Sequence, residues 1–99
     1  MIIYNLTLVA LPEVQKEVIL EIQSNYIPGL KKNNYGVDYK TLKILSGEGN
    51  ESTFALQVSF PSHEIFRVFA ENYEPVLLEA IAKKFRNQVM PFATLLEEI

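Results

Sequence analysis

The stretch Thr53-Phe54-Ala55-Leu56-Gln57-Val58-Ser59-Phe60 constrains the fold more than any other part of the chain. Phe54, Leu56, Val58 and Phe60 alternate with smaller or polar residues, so the large apolar groups recur with a period of two. Helical spacing cannot gather those four side chains on one face, whereas a strand does so automatically. The chain must therefore build a sheet with one buried face at this strand. Other segments must supply the cover.

Residues 2–10 are aliphatic, β-branched and aromatic, with no glycine or proline, and are expected to form a first strand. Pro12 and Glu13 suit the first turn of a helix. Val14, Val18, Ile19, Ile22 and Tyr26 then give one apolar stripe at helical spacing. Pro28-Gly29 is expected to break that helix, leaving at most one further turn through Lys32. A turn at Asn33, Asn34 and Gly36 leads into a second strand over about 38–46. The third strand covers about 52–60, and Ser46-Gly47-Glu48-Gly49-Asn50 joins the two as a hairpin. Ser62 can cap a helix running to about Tyr73, and Pro75 forces a second helix over about 75–86. Residues 89–97 form the last strand.

The resulting order is β-α-β-β-α-β, with its second helical unit split in two. Two right-handed crossovers sharing one antiparallel sheet predict an α+β, ferredoxin-like sandwich with strand order 4-1-3-2. The whole chain, residues 1–99, is expected to form one such domain. Helices cover one sheet face and the other stays open.

Parity then assigns the faces. Ile2, Tyr4, Leu6 and Leu8 join Phe54, Leu56, Val58 and Phe60 under the helices. Ile3, Asn5, Thr7 and Val9 lie beside Thr53, Ala55, Gln57 and Ser59 on the open face. In the second strand Leu42 and Ile44 are expected inward, with Thr41, Lys43 and Leu45 outside. The fourth strand offers two sets, Phe92, Thr94 and Leu96 or Ala93, Leu95 and Glu97, and its pattern does not choose between them. A solvated face would be rich in Lys, Glu and Thr, yet this one is mostly small, uncharged and partly apolar, with Lys43 towards an edge. Such a face calls for cover by a second subunit. Asn5, Thr7, Gln57 and Ser59 are the candidate residues for a dimer seam or a ligand-lining surface.

Composition removes several function classes. There is no cysteine, hence no disulfide framework, thiolate metal site or thiol nucleophile, and a single histidine, His63, disfavours a histidine-rich metal site. No metal or cofactor is expected. The net charge of −3 lacks the basic stripe that nucleic acid needs, and Lys31-Lys32 and Lys83-Lys84-Arg86 sit where cations complement helix ends. RNA recognition on this topology also wants exposed aromatics on the central strands, whereas Tyr4, Phe54 and Phe60 point to the helices. No apolar run reaches the ~18 residues of a membrane span, and the start lacks the basic region of a signal peptide. A cytoplasmic protein with no membrane partner is expected. The tripeptides Asn5-Leu6-Thr7 and Asn50-Glu51-Ser52 then match the glycosylation pattern only by chance.

Catalytic candidates are sparse. His63 falls at a helix start and is expected to be exposed. Tyr4, Tyr26, Tyr35, Tyr39 and Tyr73 could donate hydrogen bonds but read as amphipathic packing residues. No pair of acidic residues has the spacing of a buried acid–base couple, and Glu97-Glu98 reads as a solvated terminus.

Taken together, Met1-Ile2-Ile3-Tyr4-Asn5-Leu6-Thr7 and Phe92-Ala93-Thr94-Leu95-Leu96-Glu97 resemble the two signatures of a small bacterial family of unknown function. Tyr26-Ile27-Pro28, the run from Tyr39 to Leu45, Phe54-Ala55-Leu56-Gln57, Pro75 and Phe85 fit the same pattern more loosely. The resemblance implies the same β-α-β-β-α-β layout, of the dimeric α/β-barrel type. It also implies histidines in other members where this chain has Tyr26 and Ile81, so an activity resting on them is not expected here. The expected function is that of a non-enzymatic homodimer binding a small molecule or partner through the covered sheet face. The alternative is a cofactor-independent enzyme, monooxygenase- or isomerase-like, acting near Asn5, Thr7, Gln57 and Ser59.

Overall fold

A computed structural model describes residues 1–45 and 53–99. Four strands form one antiparallel sheet: β1 (Ile2–Ala10), β2 (Asp38–Lys43), β3 (Thr53–Phe60) and β4 (Val89–Glu97), in the order β2-β3-β1-β4. That is the expected ferredoxin-like order. β1 and β4 have the bounds expected from sequence, while β2 stops at Lys43. The expected hairpin at Ser46–Asn50 lies outside the described residues.

The first helical unit departs from expectation. Pro12–Val14 makes one 3-10 turn, α1 (Gln15–Glu21) follows, and the helix then widens into a π-turn at Ile22–Tyr26 before α2 (Ile27–Lys32). Pro28-Gly29 does not break it. The Ile27 N–H donates to the Ile22 carbonyl, five residues back rather than four. This extra residue resets the hydrogen-bond ladder just ahead of Pro28. Pro28 thus falls in the first turn of α2, where its missing N–H costs little.

α3 (His63–Asn72) begins at Ser62, whose hydroxyl accepts from the Ile65 N–H at 3.3 Å, so the expected cap is present. α4 (Glu74–Phe85) places Pro75 in its first turn, and the second helical unit is split as expected. Lys31 and Lys32 close α2, and Lys83 and Lys84 close α4, each in the last turn.

The core fills the space between the helices and one sheet face. Ile2, Tyr4, Leu6 and Leu8 of β1 and Phe54, Leu56, Val58 and Phe60 of β3 are all buried, as parity required. Val18, Ile22, Tyr26 and Leu30 bring the stripe of the first helical unit onto them, and Phe69, Leu77, Ile81 and Phe85 bring α3 and α4. Aromatic edges lock the sheet to α3: the Tyr4 and Phe69 rings meet edge-on at 5.0 Å, and Phe60 and Phe66 do so at 5.5 Å.

Candidate functional site

The open face is set by register, because residues directly opposite across a ladder share a face. β1 and β3 pair Ile3 with Ser59, Asn5 with Gln57, Thr7 with Ala55 and Val9 with Thr53. β1 and β4 pair Ile3 with Leu96, Asn5 with Thr94, Thr7 with Phe92 and Val9 with Met90. The fourth strand therefore turns Met90, Phe92, Thr94 and Leu96 to the open side. Pro91 is tolerated because β4 is an edge strand.

The second strand corrects the expected parity. Leu42 stands opposite Ala55 on the open face, with Lys40 opposite Gln57 and Asp38 opposite Ser59. Tyr39, Thr41 and Lys43 share the helix side with Val58, Leu56 and Phe54. Ile44 lies beyond the end of β2. Hydrophobicity misled here because β2 is an edge strand that the helices barely reach. Its inner side needs no continuous apolar row.

A short polar chain crosses the centre of this face. The Gln57 side-chain amide donates to the Asn5 carbonyl oxygen at 3.0 Å, and the Asn5 amide donates to Thr7 Oγ1 at 3.0 Å. All three residues are half-buried. Ser59 is on the same face, opposite Ile3, and outside this chain of hydrogen bonds. Large apolar side chains flank the polar centre: Leu42, Val9, Met90, Phe92 and Leu96 are each at least 39% exposed. Four of these, Leu42, Val9, Met90 and Phe92, gather at one end of the sheet. The charges are Asp38 and Lys40, of opposite sign and both on β2.

The helix side holds a feature that the sequence does not single out. Tyr4 and Tyr26 are buried core residues whose hydroxyls have no hydrogen-bond partner among the described residues. Burial pushes the Tyr4 phenol far above the usual tyrosine range, and the Glu74 carboxylate, close by without meeting hydrogen-bond geometry, adds to the shift. Burial and then the nearby Glu21 carboxylate push Tyr26 up to about 12. Both therefore stay protonated donors across the ordinary pH range. The other tyrosines pack or are satisfied: Tyr39 donates to the Tyr35 and Gly36 carbonyls, and the Tyr35 and Tyr73 rings pack at a tilt with centroids 5.2 Å apart. His63 is exposed at the start of α3, as expected, 3.7 Å from Glu97. Among the described residues no group of three His, Cys, Asp or Glu side chains could hold a metal ion, and no helix is long and apolar enough to cross a membrane.

The sequence matches the model of a family described as a domain of unknown function, DUF4286, over residues 1–99. The chain belongs to that family. No protein of curated function matches it. Similar solved structures include an ethyl tert-butyl ether D (EthD) family protein from Bacillus halodurans C-125, with a TM-score of 0.63 at 18% identity over 100% of both chains. An antibiotic biosynthesis monooxygenase superposes with a TM-score of 0.65 at 12% identity, over 100% of this chain and 99% of that one. A point mutant of MhuD, solved with two manganese protoporphyrin IX molecules per active site, gives 0.67 at 13% identity, over 100% and 94%. At these identities the likeness shows a shared ferredoxin-like fold.

Proposed function

We propose that this protein is a cytoplasmic, non-enzymatic homodimer whose open sheet faces close on each other, and that it binds a small molecule or partner in the space so formed. The observation that carries this reading is the group of exposed Leu42, Val9, Met90 and Phe92 at one end of the open face, with Leu96 on the same face beyond the hydrogen-bonded Gln57–Asn5–Thr7 centre. Exposed apolar groups gathered on one face favour burial, at roughly 25 cal/mol per Å². Because Gln57 donates to Asn5 and Asn5 to Thr7, covering this polar centre strands fewer donors and acceptors than covering three unlinked side chains would.

A second copy is the occupant that the face suits. A two-fold interface sets a surface against itself, so it must not carry charge of one sign. Here one acid, Asp38, and one base, Lys40, lie two residues apart on the same edge. Catalysis on this face is disfavoured by its chemistry: Asn5, Thr7, Gln57 and Ser59 are neutral amides and hydroxyls, and none supplies a general base.

Phe92→Asp tests the reading. Phe92 is 53% exposed on an edge strand, so the substitution leaves the monomer's core intact. In the dimer it sets carboxylates into an apolar seam. The variant is expected to run as a folded monomer at concentrations where the parent is dimeric. A variant that dimerises as well as the parent rules out the open face as the interface.

A further inference from the structure

The outer edge of β4 offers a contact separate from the open face. β4 ends the sheet order β2-β3-β1-β4, so among the described residues only β1 pairs with it. Hydrogen bonds flanking this ladder fix which backbone groups are spare. The Leu11 N–H donates to the Gln88 carbonyl at 2.9 Å and the Glu98 N–H to the Met1 carbonyl at 3.0 Å, both in register with the β1–β4 pairs. Hydrogen-bonded and non-hydrogen-bonded pairs alternate along an antiparallel ladder. Met90, Phe92, Thr94 and Leu96 therefore aim their backbone groups at β1, while Ala93, Leu95 and Glu97 aim theirs away from it. Pro91 belongs to the outward set, where its missing N–H breaks no bond to β1.

This edge lacks the usual guards. β2, the opposite edge, has six residues, of which Asp38, Lys40 and Lys43 are charged. From Val89 to Leu96, β4 has no charged residue. Charges on an edge strand deter pairing, and a long apolar edge invites it. β4 is also uncovered on both faces. Phe92 and Leu96 are exposed on the open side, and Leu95, on the helix side, is 45% exposed although its ladder partner Tyr4 is 2% exposed.

We propose that the free edge of β4 pairs antiparallel with the β4 edge of a second copy, centred on Leu95, as a second interface distinct from the open face. In that register Leu95 meets its own counterpart and Ala93 meets Glu97, and each such pair exchanges two backbone hydrogen bonds. Charge and proline favour this occupant and this register. Each acid faces an apolar residue, Glu97 against Ala93 and Glu98 against Phe92. The two Glu97 residues stand about 14 Å apart along the pair, beyond the screening length at physiological salt. Pro91 lies outside the paired stretch, and sliding the strands towards it forfeits a bond. The paired stretch is far shorter than the roughly 20–30 residues a side of a standard interface, so the contact is weak, with a Kd of about 0.1 mM.

Quenched amide hydrogen exchange of the full chain, read residue by residue by NMR, tests the proposal. The Tyr39, Thr41 and Lys43 amides serve as the reference: the Ile44 N–H bonds to the Thr53 carbonyl, and the same alternation turns these three away from β3. At about 1 mM chain the Ala93, Leu95 and Glu97 amides are expected to be about fivefold more protected than the reference, and to approach it on dilution to about 0.01 mM. Leu95→Glu sets two carboxylates opposite each other at the centre and is expected to abolish the difference. Leu95 is exposed on the helix side, so this variant leaves the open face, and any dimer formed through it, unchanged. Closing the open faces does not cover the outward amides, so failure of that reading leaves this exchange pattern unaltered. Edge amides no more protected than the reference at about 1 mM overturn the proposal. Protection that persists on dilution, or in Leu95→Glu, also overturns it.

Discussion

Removing Asn5 asks whether the open face is covered. Asn5 links Gln57 to Thr7 through two side-chain hydrogen bonds of 3.0 Å. On a wetted face, water replaces both bonds when Asn5 becomes Ala, and the loss is about 0.5 kcal/mol or less, as for surface substitutions generally. Under a second subunit no water replaces them. Each lost bond then costs about 1 kcal/mol, so Asn5→Ala should destabilise by about 2 kcal/mol, or about 8–16 °C in melting temperature for a domain of this size. A double-mutant cycle with Gln57→Ala isolates the shared bond and should give a coupling of about 1 kcal/mol. Urea unfolding followed by circular dichroism measures each variant. It should be run at two protein concentrations, because the stability of a dimer depends on concentration. A cost below about 0.5 kcal/mol with no coupling at the higher concentration would refute a covered polar seam.

Three further outcomes follow from backbone and burial. Gly36 has φ +82°, and a Cβ there would collide with Val58 Cγ1, so Gly36→Ala should cost about 2–3 kcal/mol in urea unfolding. Arg86, after the last turn of α4, holds φ 51° and ψ −121°, a region that suits glycine, so Arg86→Gly should raise stability by about 1 kcal/mol by the same assay. Tyr4 and Tyr26 have phenols raised above the ordinary value of 10.0, so the folded state binds more protons than the unfolded state above that pH. Stability is therefore expected to be intact below about pH 10 and to fall as the pH rises towards 12. Absorbance at 295 nm should show these two tyrosines ionising only as the chain unfolds, and Tyr26→Phe should lessen the alkaline loss.

Much of the fold was legible because the central strands are buried on one face only. The alternation of Phe54, Leu56, Val58 and Phe60 announces that condition directly, and Ile2, Tyr4, Leu6 and Leu8 repeat it. Ser62 and Pro75 marked helix starts through local chemistry that packing does not override. β2 failed for the complementary reason. An edge strand takes its facing from its ladder with β3, and Leu42 pairs with Ala55 whatever its hydrophobicity. Pro28 was misread as a breaker because a π-turn satisfies the backbone around it, a solution that residue preference does not advertise. Asn5, Thr7 and Gln57 could be placed on one face from parity alone, but the direction of their hydrogen bonds could not. The unpaired Tyr26 hydroxyl was beyond reach, since a tyrosine on an apolar stripe looks the same whether or not its oxygen has a partner.

The subunit count of the unmodified chain is the most direct test of a covered sheet face. Sedimentation equilibrium at micromolar concentration should return twice the chain mass of 11.3 kDa, with dissociation on dilution and in the Phe92→Asp variant. A single species at 11.3 kDa across that range would contradict it.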